Sequence, residues 1–351
     1  MTSSSIPTIV KSFEFDSKDR TLDIPKSNFS KEQLSNCGTE RNCIEKKYSY
    51  LVDSNFESPI YKIDLVYHEN TSVKIKNLYK GVVGFDFIKD EVTAENVFDE
   101  DIFLLIYNGG YCWQHFVQDT IPFIALFYDF LKGNPNITMV LSPPSFDYFK
   151  IFINSLCLSN KIILVSENTI LKTTGKIYFS NIHTTRELYL SEYPMSLYKN
   201  SMPLITSSIS SFFSFKNDQT KLIYISRKDD SMRQIGNEED LCKVIKDFAQ
   251  ERKLEYTYLN SKETSISDKI LLFNQAKIVI APHGGANFNV IFCQPDVSLL
   301  EICFGKCLHT IYWMAKSIGL NYFMHVERDY GHFDNNIKVD INSFKESLKQ
   351  I

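Results

Sequence analysis

The fold prediction rests on ten residues, IVIAPHGGAN, at positions 278–287. Their apolar start is typical of a strand that is buried on both faces, as in a parallel sheet. Two adjacent glycines, Gly284 and Gly285, and the predicted start of a helix follow. Glycine lets a ligand approach the backbone closely, and a helix N-terminus offers unpaired N–H groups. This arrangement suits a phosphate or a diphosphate; the alternative is that the glycines only make a tight turn.

Strands and helices alternate on both sides of this stretch. Strands are predicted at 222–226, 256–259, 278–281, 297–302 and 322–326, and helices at 237–252, 266–276, near 285 and at 308–318. This alternation predicts a parallel sheet with helices on its faces, which is a Rossmann-like domain. Such a domain binds its ligand at the carboxyl ends of its strands.

A second α/β lobe is predicted in the first half of the chain. A continuous apolar run at 102–107 indicates a buried strand, and a helical stretch follows at 113–131. Strands at 137–141, 162–165 and 176–179, with a helix at 146–156 between the first two, complete a β-α-β-α-β order. That order predicts a second parallel sheet, and two such lobes in series suggest ligand binding in a central cleft between them.

Two arginines, Arg227 and Arg233, follow the predicted strand at 222–226. Guanidinium groups at the carboxyl end of a strand suit a clamp on a diphosphate, because they form bidentate hydrogen bonds. The alternative is a solvated loop in which Asp229 and Asp230 neutralise them. Glu301 ends the strand at 297–302, where an acid suits ribose hydroxyls; a capping or salt-bridging role is the alternative.

In the first lobe, His115 and Asp119 are four residues apart, so they share one face of a helix. Together they suit the activation of a hydroxyl, one as base and the other as its partner. The alternative is an ordinary pair that stabilises the helix. Tyr111 and Trp113 lie beside them and are candidates for stacking on a sugar ring, or for the core. Pro122 lacks the N–H that would bond the carbonyl of Gln118, which predicts a bend.

Composition excludes several classes of function. The 351 residues carry a net charge of −4, which argues against a broad basic face for nucleic acid or an anionic membrane. No apolar run reaches the ~18 residues of a membrane span. The start, Met1 to Ile6, shows no signal peptide, so a cytoplasmic location is favoured, with the Golgi or ER lumen as the alternative for a fragment. Asp99-Glu100-Asp101 precedes its strand, at the wrong end of the sheet for a metal site, so no metal site is predicted.

These motifs resemble those of glycosyltransferase family 61. Residues 227–238 look like the family's arginine block running into a helix that starts with Asn-Glu. Residues 273–287 resemble its F-x-x-A and P-H-G-A stretches, and 299–302 its hydrophobic-E-I ending. Residues 115–122 are similar to its H-x-x-x-D-x-x-P block. The resemblance covers 221–303 strongly and 107–130 in part.

The resemblance implies a GT-B fold, with two Rossmann-like lobes and the donor nucleotide held by the second. It also implies an inverting reaction without a metal or cofactor, in which a sugar moves from a UDP-sugar to a glycan or glycoprotein hydroxyl; GlcNAc and xylose are the favoured sugars. The catalytic candidates are Asp119 and His115. The candidate donor-binding residues are Arg227, Arg233, Asn237, His283, Gly284, Gly285, Ala286, Asn287 and Glu301.

The predicted division of the chain follows from these assignments. An irregular arm at 1–60 precedes an acceptor-side lobe at 61–215 and a donor-binding lobe at 216–330. A tail at 331–351 carries a final helix, which is expected to pack on the first lobe. Two alternatives to the transferase remain open at this point: a nucleotide-sugar epimerase on the same scaffold, and a protein that binds a nucleotide or glycan without catalysis. Nucleic acid is not an expected partner, and the sequence leaves the oligomeric state open.

Overall fold

The computed structural model describes residues 6–15, 26–28, 62–75, 85–88, 96–106, 113–141, 148–166, 168–184, 195–215, 218–304, 309–327, 329–330 and 334–351. The chain divides into two compact units. Unit 1 comprises Met1–Asp19 and Glu57–Phe212, and unit 2 comprises Arg20–Phe56 and Phe213–Ile351. No helix in the described part of the chain is both long and apolar enough to cross a membrane.

The described strands are β1 (Thr8–Glu14), β2 (Lys26–Ser27), β3 (Lys62–Glu69), β4 (Ser72–Ile75), β5 (Phe85–Ile88), β6 (Asn96–Phe98), β7 (Ile102–Leu105), β8 (Thr138–Leu141), β9 (Ile162–Leu164), β10 (Ile170–Thr173), β11 (Lys176–Ser180), β12 (Lys221–Ser226), β13 (Glu255–Asn260), β14 (Ala276–Pro282), β15 (Ser298–Phe304) and β16 (Asn321–Glu327). The described α-helices are α1 (Trp113–His115), α2 (Ile121–Leu126), α3 (Tyr128–Gly133), α4 (Tyr148–Ser155), α5 (Met195–Phe213), α6 (Glu238–Glu251), α7 (Ile266–Asn274), α8 (His309–Ser317) and α9 (Ile341–Leu348). A π-helical segment spans Phe116–Thr120, and 3₁₀ segments span Asn181–Thr184 and Gly285–Phe292.

Unit 1 contains two sheets, and the predicted parallel arrangement of the strands from residue 102 onwards is confirmed in the larger one. The larger sheet has the strand order β1-β3-β11-β7-β8-β9, and its β11, β7, β8 and β9 are parallel. The strands β1 and β3 are antiparallel to their neighbours. The smaller sheet has the order β5-β4-β10-β6.

The core of unit 1 lies between these two sheets. Val73 and Leu171 of the smaller sheet pack in one cluster with Ile102, Val140 and residues of β11 from the larger sheet, and all of them are buried. Nearly all the side chains of β7 and β8 are buried, which explains why the sequence of β7 reads as a continuous apolar run. This core positions the segment that follows β7, where His115 and Asp119 lie.

Unit 2 contains one parallel sheet with the strand order β13-β12-β14-β15-β16-β2. Counted from β12, the five longer strands follow the order 2-1-3-4-5, which is that of flavodoxin-like sheets. The chain reverses its direction of winding between β12 and β14. In α/β sheets of this order the ligand binds beyond the carboxyl ends of the two strands at that reversal.

One face of this sheet is covered by α6 and α9. Leu241 and Ile245 of α6 and Phe344 and Leu348 of α9 share a buried cluster with side chains of β12, β14, β15 and β16. The expectation that the terminal helix packs on the first lobe is therefore wrong. Phe344 and Leu348 are four residues apart and form one apolar stripe on α9, which the cluster of unit 2 accepts.

Candidate functional site

The strands β12 and β14 bring two of the predicted motifs together in unit 2. Tyr224 pairs with Ile280 in the parallel register, so the two strands end at the same level of the sheet. Arg227 follows the last residue of β12, and His283 and Gly284 follow the last residue of β14. The arginine motif and the glycine motif therefore flank the point at which the winding of the sheet reverses, where a ligand is expected.

Arg227 packs directly against Gly284. A Cβ atom on Gly284 would lie 1.8 Å from Nη1 of Arg227 and 2.9 Å from its Cζ. Nε and Nη2 of Arg227 donate to the carbonyl of Met232 at 3.3 and 3.2 Å, and Nη2 lies 3.0 Å from Oδ2 of Asp230. Gly284 itself has an extended φ of 171°, which other residues also adopt. The absence of a side chain at Gly284 therefore leaves room for the guanidinium group, which a methyl group at this position would displace.

Arg233 is the second cation of the site, and its side chain is partly buried. Burial, together with the positive charge of Arg227, lowers the pKa of Arg233 to about 10, while Asp230 and Glu301 oppose the shift. Burial also lowers the pKa of Arg227, and Asp230 opposes it. Nε of Arg233 is buried and has no hydrogen-bond partner among the described residues. Arg227 is therefore buried and Arg233 partly buried, and both guanidinium groups stay charged at neutral pH because arginine is not deprotonated in proteins.

Glu301 has two protein partners that the sequence did not predict. Its side chain is completely buried, Nδ1 of His283 contacts its Oε1, and the hydroxyl of Tyr322 donates to its Oε2. Direct contact with ribose hydroxyls would require this carboxylate to leave both partners. The geometry instead makes Glu301 the group that fixes the ring of His283. Tyr322 was missed by the sequence analysis, because its position two strands away from His283 depends on the order of the sheet.

Asn237 also has partners that the sequence did not predict. It is the N-cap residue of α6, as expected, but its side chain makes no hydrogen bond to that helix. Its Nδ2 donates to the carbonyl of Val339 at 2.9 Å, and its Oδ1 accepts the N–H of Val339 at 3.0 Å. Both polar atoms of Asn237 therefore contact the C-terminal segment, and its predicted contact with a donor stays a prediction.

Asn287 fits the predicted ligand site. It lies in the 3₁₀ segment Gly285–Phe292, and its N–H donates to the carbonyl of Gly284 at 3.0 Å. The residue is fully buried, and neither Oδ1 nor Nδ2 has a hydrogen-bond partner among the described residues. A buried amide without a partner is costly, and it commonly marks the place of a ligand or water. Gly285 and Ala286 begin this segment and connect Asn287 to Gly284.

In unit 1, Nδ1 of His115 lies 2.9 Å from Oδ2 of Asp119. Asp119 is almost fully buried, and burial raises its pKa from 3.8 to about 6, while the hydrogen bond and charge of His115 oppose the shift. The other carboxyl oxygen, Oδ1, has no partner among the described residues. The ring of His115 is about one-third exposed, at 32% of its side-chain surface. His115 is thus the accessible member of the pair and Asp119 the buried one.

The pair lies on a π-helical turn that the sequence analysis missed. The N–H of Ile121 donates to the carbonyl of Phe116, which is one residue further back than in an α-helix. Pro122 cannot bond the carbonyl of Gln118, as predicted, and the hydroxyl of Tyr198 on α5 donates to this carbonyl instead, at 3.3 Å. Single π turns inside helices are frequent at functional sites. Pro122 was the sequence signal for a disturbed helix at this point. That Tyr198 supplies the missing hydrogen bond could not be predicted, because Tyr198 lies on a helix far away in the sequence.

The remaining predicted residues are less informative about a site. Trp113 packs its ring against Phe116 and Phe152, with centroids 6.4 and 6.0 Å apart, which favours the core alternative that was left open for it. Tyr111 lies outside the described residues.

Oδ1 of Asp101 accepts the N–H of Lys176, so this part of the D-x-D motif serves the sheet. Among the residues that the structure describes, no group of three His, Cys, Asp or Glu side chains is arranged to hold a metal ion.

Replacing Gly284 with alanine is expected to displace the guanidinium of Arg227, because the new methyl group would overlap Nη1. We expect affinity for a diphosphate ligand to fall by at least 10-fold, which corresponds to about 1.4 kcal/mol. Gly133, beside which a Cβ atom would meet nothing within 4 Å, provides the matched control in Gly133→Ala. Titration calorimetry of both variants with UDP measures the difference, and equal affinities would contradict the packing argument.

The model of the family described as Glycosyltransferase 61 matches residues 113–300, which is more than half of the chain. The chain therefore belongs to glycosyltransferase family 61, and it is a glycosyltransferase. The matched range includes His115 and Asp119 in unit 1 as well as Arg227, Arg233 and Gly284 in unit 2. A comparison with curated proteins found no match.

Proposed function

We propose that this glycosyltransferase is an inverting, metal-independent enzyme that transfers GlcNAc or xylose from a UDP-sugar to a hydroxyl of a glycan or glycoprotein. Membership of the family supports sugar transfer from a nucleotide-sugar donor to an acceptor. A GT-B arrangement is part of the proposal, with unit 2 as the lobe that binds the donor. The parallel sheet of unit 2 and its strand order support that assignment.

The observation that carries the proposal is the pair of guanidinium groups at the reversal point of this sheet, of which Arg227 is buried and Arg233 partly buried. Burial lowers the pKa of both groups, and the charge of Arg227 lowers that of Arg233 further. Asp230 is the only carboxylate among the described residues that pairs directly with Arg227. Two guanidinium groups that are wholly or partly withdrawn from water are stabilised by an anion, and a diphosphate supplies the required charge and geometry.

In the proposed reaction the acceptor oxygen forms a bond to the anomeric carbon as the bond from that carbon to the diphosphate oxygen breaks. Negative charge then develops on UDP. Arg227, Arg233 and Asn287 are held by the fold near the carboxyl ends of β12 and β14, so they stabilise this charge without reorganising. Two cations in place of a metal are the reason for proposing metal independence. Removing one such preorganised donor typically raises a barrier by ~3 kcal/mol.

The acceptor hydroxyl loses its proton to a base, for which we propose His115. Its Nδ1 faces Asp119, so Nε2 is the nitrogen that takes the proton. The partial exposure of His115 supports this assignment over Asp119, which is almost fully buried. Asp119 then orients the ring and stabilises the imidazolium that forms.

A donor screen tests the proposed function. We expect UDP-GlcNAc or UDP-xylose, and free UDP, to raise the melting temperature, and UDP to be released when a hydroxyl acceptor is present. Activity is expected to survive EDTA, and the product's anomeric configuration, read by NMR, to be inverted. Loss of activity in EDTA would contradict the metal-independent mechanism. Conversion of UDP-GlcNAc without an acceptor would indicate the epimerase, and binding without transfer or hydrolysis would indicate an inactive binding protein.

A further inference from the structure

A C-terminal segment of unit 2 lies along the loop that carries the two arginines. We call residues 227–237 the arginine loop and residues 334–339 the C-terminal clasp. The two are about a hundred residues apart in the chain, and the short isolated bridge between Ile235 and Ile337 is parallel. The core cluster of unit 2 includes both of these isoleucines, so the clasp is anchored beneath the loop.

Backbone hydrogen bonds connect the clasp to the second half of the arginine loop. The N–H of Arg233 donates to the carbonyl of Asp334 at 2.8 Å. The N–H of Ile337 donates to the carbonyl of Gln234 at 2.9 Å, and the N–H of Gly236 donates to the carbonyl of Ile337 at 2.7 Å. The path of the loop on both sides of Ile235 is therefore set by the clasp.

Two asparagine side chains add contacts of the same kind. Nδ2 of Asn335 donates to the carbonyl of Ser231 at 2.7 Å, and its Oδ1 accepts the N–H of Gln234 at 3.3 Å. Asn237 holds Val339 through both its polar atoms. A single side chain of the clasp, Asn335, thus bonds the backbone on both sides of Arg233.

The backbone of Arg233 requires such support. Its φ is 61°, in the left-handed region that residues other than glycine rarely adopt. Such a conformation persists only where the surrounding structure enforces it, and it is typical of functional sites. Without the bonds to Asp334 and Asn335, the loop would relax to a common conformation. The guanidinium of Arg233 would then leave its partly buried position, in which it interacts with Arg227.

We propose that Asn335 is a positioning residue for the donor site, which acts by holding the arginine loop in its binding conformation before the donor arrives. The inference rests on the proposed function, because it assumes that Arg233 binds the diphosphate. Asn335 is exposed, so its hydrogen bonds contribute little to the stability of the unit. Asn335 contributes to donor affinity instead, because it holds Arg233 in the conformation that binds the donor.

The experiment compares Asn335→Ala with Asn342→Ala in the full chain. Asn342 is likewise exposed and lies in the same C-terminal part of the chain, on α9. We expect Asn335→Ala to raise the Kd for UDP and the KM for the UDP-sugar by about 10-fold, with kcat changed less than twofold and the melting temperature unchanged. Asn342→Ala is expected to match the wild type in all four quantities.

Hydrogen exchange distinguishes the mechanism of the effect. In Asn335→Ala the amides of Arg233 and Gln234 are expected to exchange faster, while those of β12 and β14 stay protected. Equal Kd and KM for the two variants would overturn the positioning role and leave the proposed function intact. A wild-type chain that binds no UDP would overturn both. A parallel fall in kcat and melting temperature would show that Asn335 is a structural residue only.

Discussion

Replacing Arg227 and Arg233 together with alanine is expected to reduce sugar transfer by about 10³- to 10⁵-fold. Both groups are proposed to stabilise the charge that develops on the leaving UDP, and one such donor is typically worth 10²–10³ in rate. The two effects are not simply additive, because the arginines share one site and interact with each other. UDP release in the presence of saturating donor and acceptor measures the rate, and calorimetry with UDP measures the binding.

The matched control is Arg252→Ala in the same unit. Arg252 is exposed and stacks on the ring of Phe248, 4.9 Å from its centroid, outside the proposed donor site. We expect it to transfer sugar at the wild-type rate. If the double variant retained transfer within tenfold of the wild type while staying folded, the guanidinium pair would not be the clamp for the diphosphate.

Lysine replacements separate charge from geometry at the same positions. The double replacement with lysine keeps both charges but loses the bidentate geometry of guanidinium. It is therefore expected to retain more activity than the alanine pair and less than the wild type. Truncation at Arg227 also leaves the carbonyl of Met232 without its donors, so circular dichroism must show that each variant is folded.

Unit 2 is predictable from the sequence because each of its signals is local. Its strands are short apolar runs, and its helices have acidic first turns and periodic apolar faces, as in α6. Predicted and observed strands agree to within about two residues for β12, β14 and β15. The sequence does not determine the order of the strands, but both motifs follow predicted strands of one parallel domain, so their position at its ligand-binding edge is predictable.

Unit 1 is less predictable because its pairing is not local. Apolar runs such as β7 read as strands, but the sequence does not show that β3 pairs with both β1 and β11. The π turn after α1 is likewise invisible in the hydrophobic pattern, since one shifted hydrogen bond changes no residue type. The proximity of His115 to Asp119 could be predicted all the same, because a four-residue spacing places the two together.

Glu301 and Asn237 show why the partners of single polar residues are difficult to predict from the sequence. Glu301 and Asn237 were assigned to a ligand because polar residues at strand and helix ends often bind one. Their actual partners, His283 and Tyr322 for one and Val339 for the other, are set by tertiary neighbours. For Gly284 the sequence predicts that another group approaches the backbone closely. The group that does so in the structure is Arg227 of the protein itself.

Replacing Asp119 with asparagine is expected to reduce transfer by about 10²–10⁴-fold, because His115 loses the anion that supports its protonation. The same change is expected to stabilise the fold at neutral pH. Since burial raises the pKa of Asp119 in the folded state to about 6 from 3.8, the carboxylate form is disfavoured there. As the pH rises from 3.8 to about 6, the free energy of unfolding of the wild type therefore falls. The loss is about 3 kcal/mol, at 1.36 kcal/mol for each pKa unit.

An asparagine does not ionise, so the stability gain of Asp119→Asn should be absent below pH 4, grow towards pH 6 and stay constant above it. Urea unfolding at pH 4 and pH 8 measures this difference, and Asp129→Asn, at an exposed position on α3, is the control that should change neither stability nor rate. A residue that served only as a helix-stabilising ion pair would behave in the opposite way. Its replacement would lower stability at neutral pH, where the pair is charged, and would leave the rate of sugar transfer unchanged. Loss of activity together with a gain of stability is therefore the result expected of a catalytic pair. It would show that the buried carboxylate destabilises the fold and is nevertheless needed for sugar transfer.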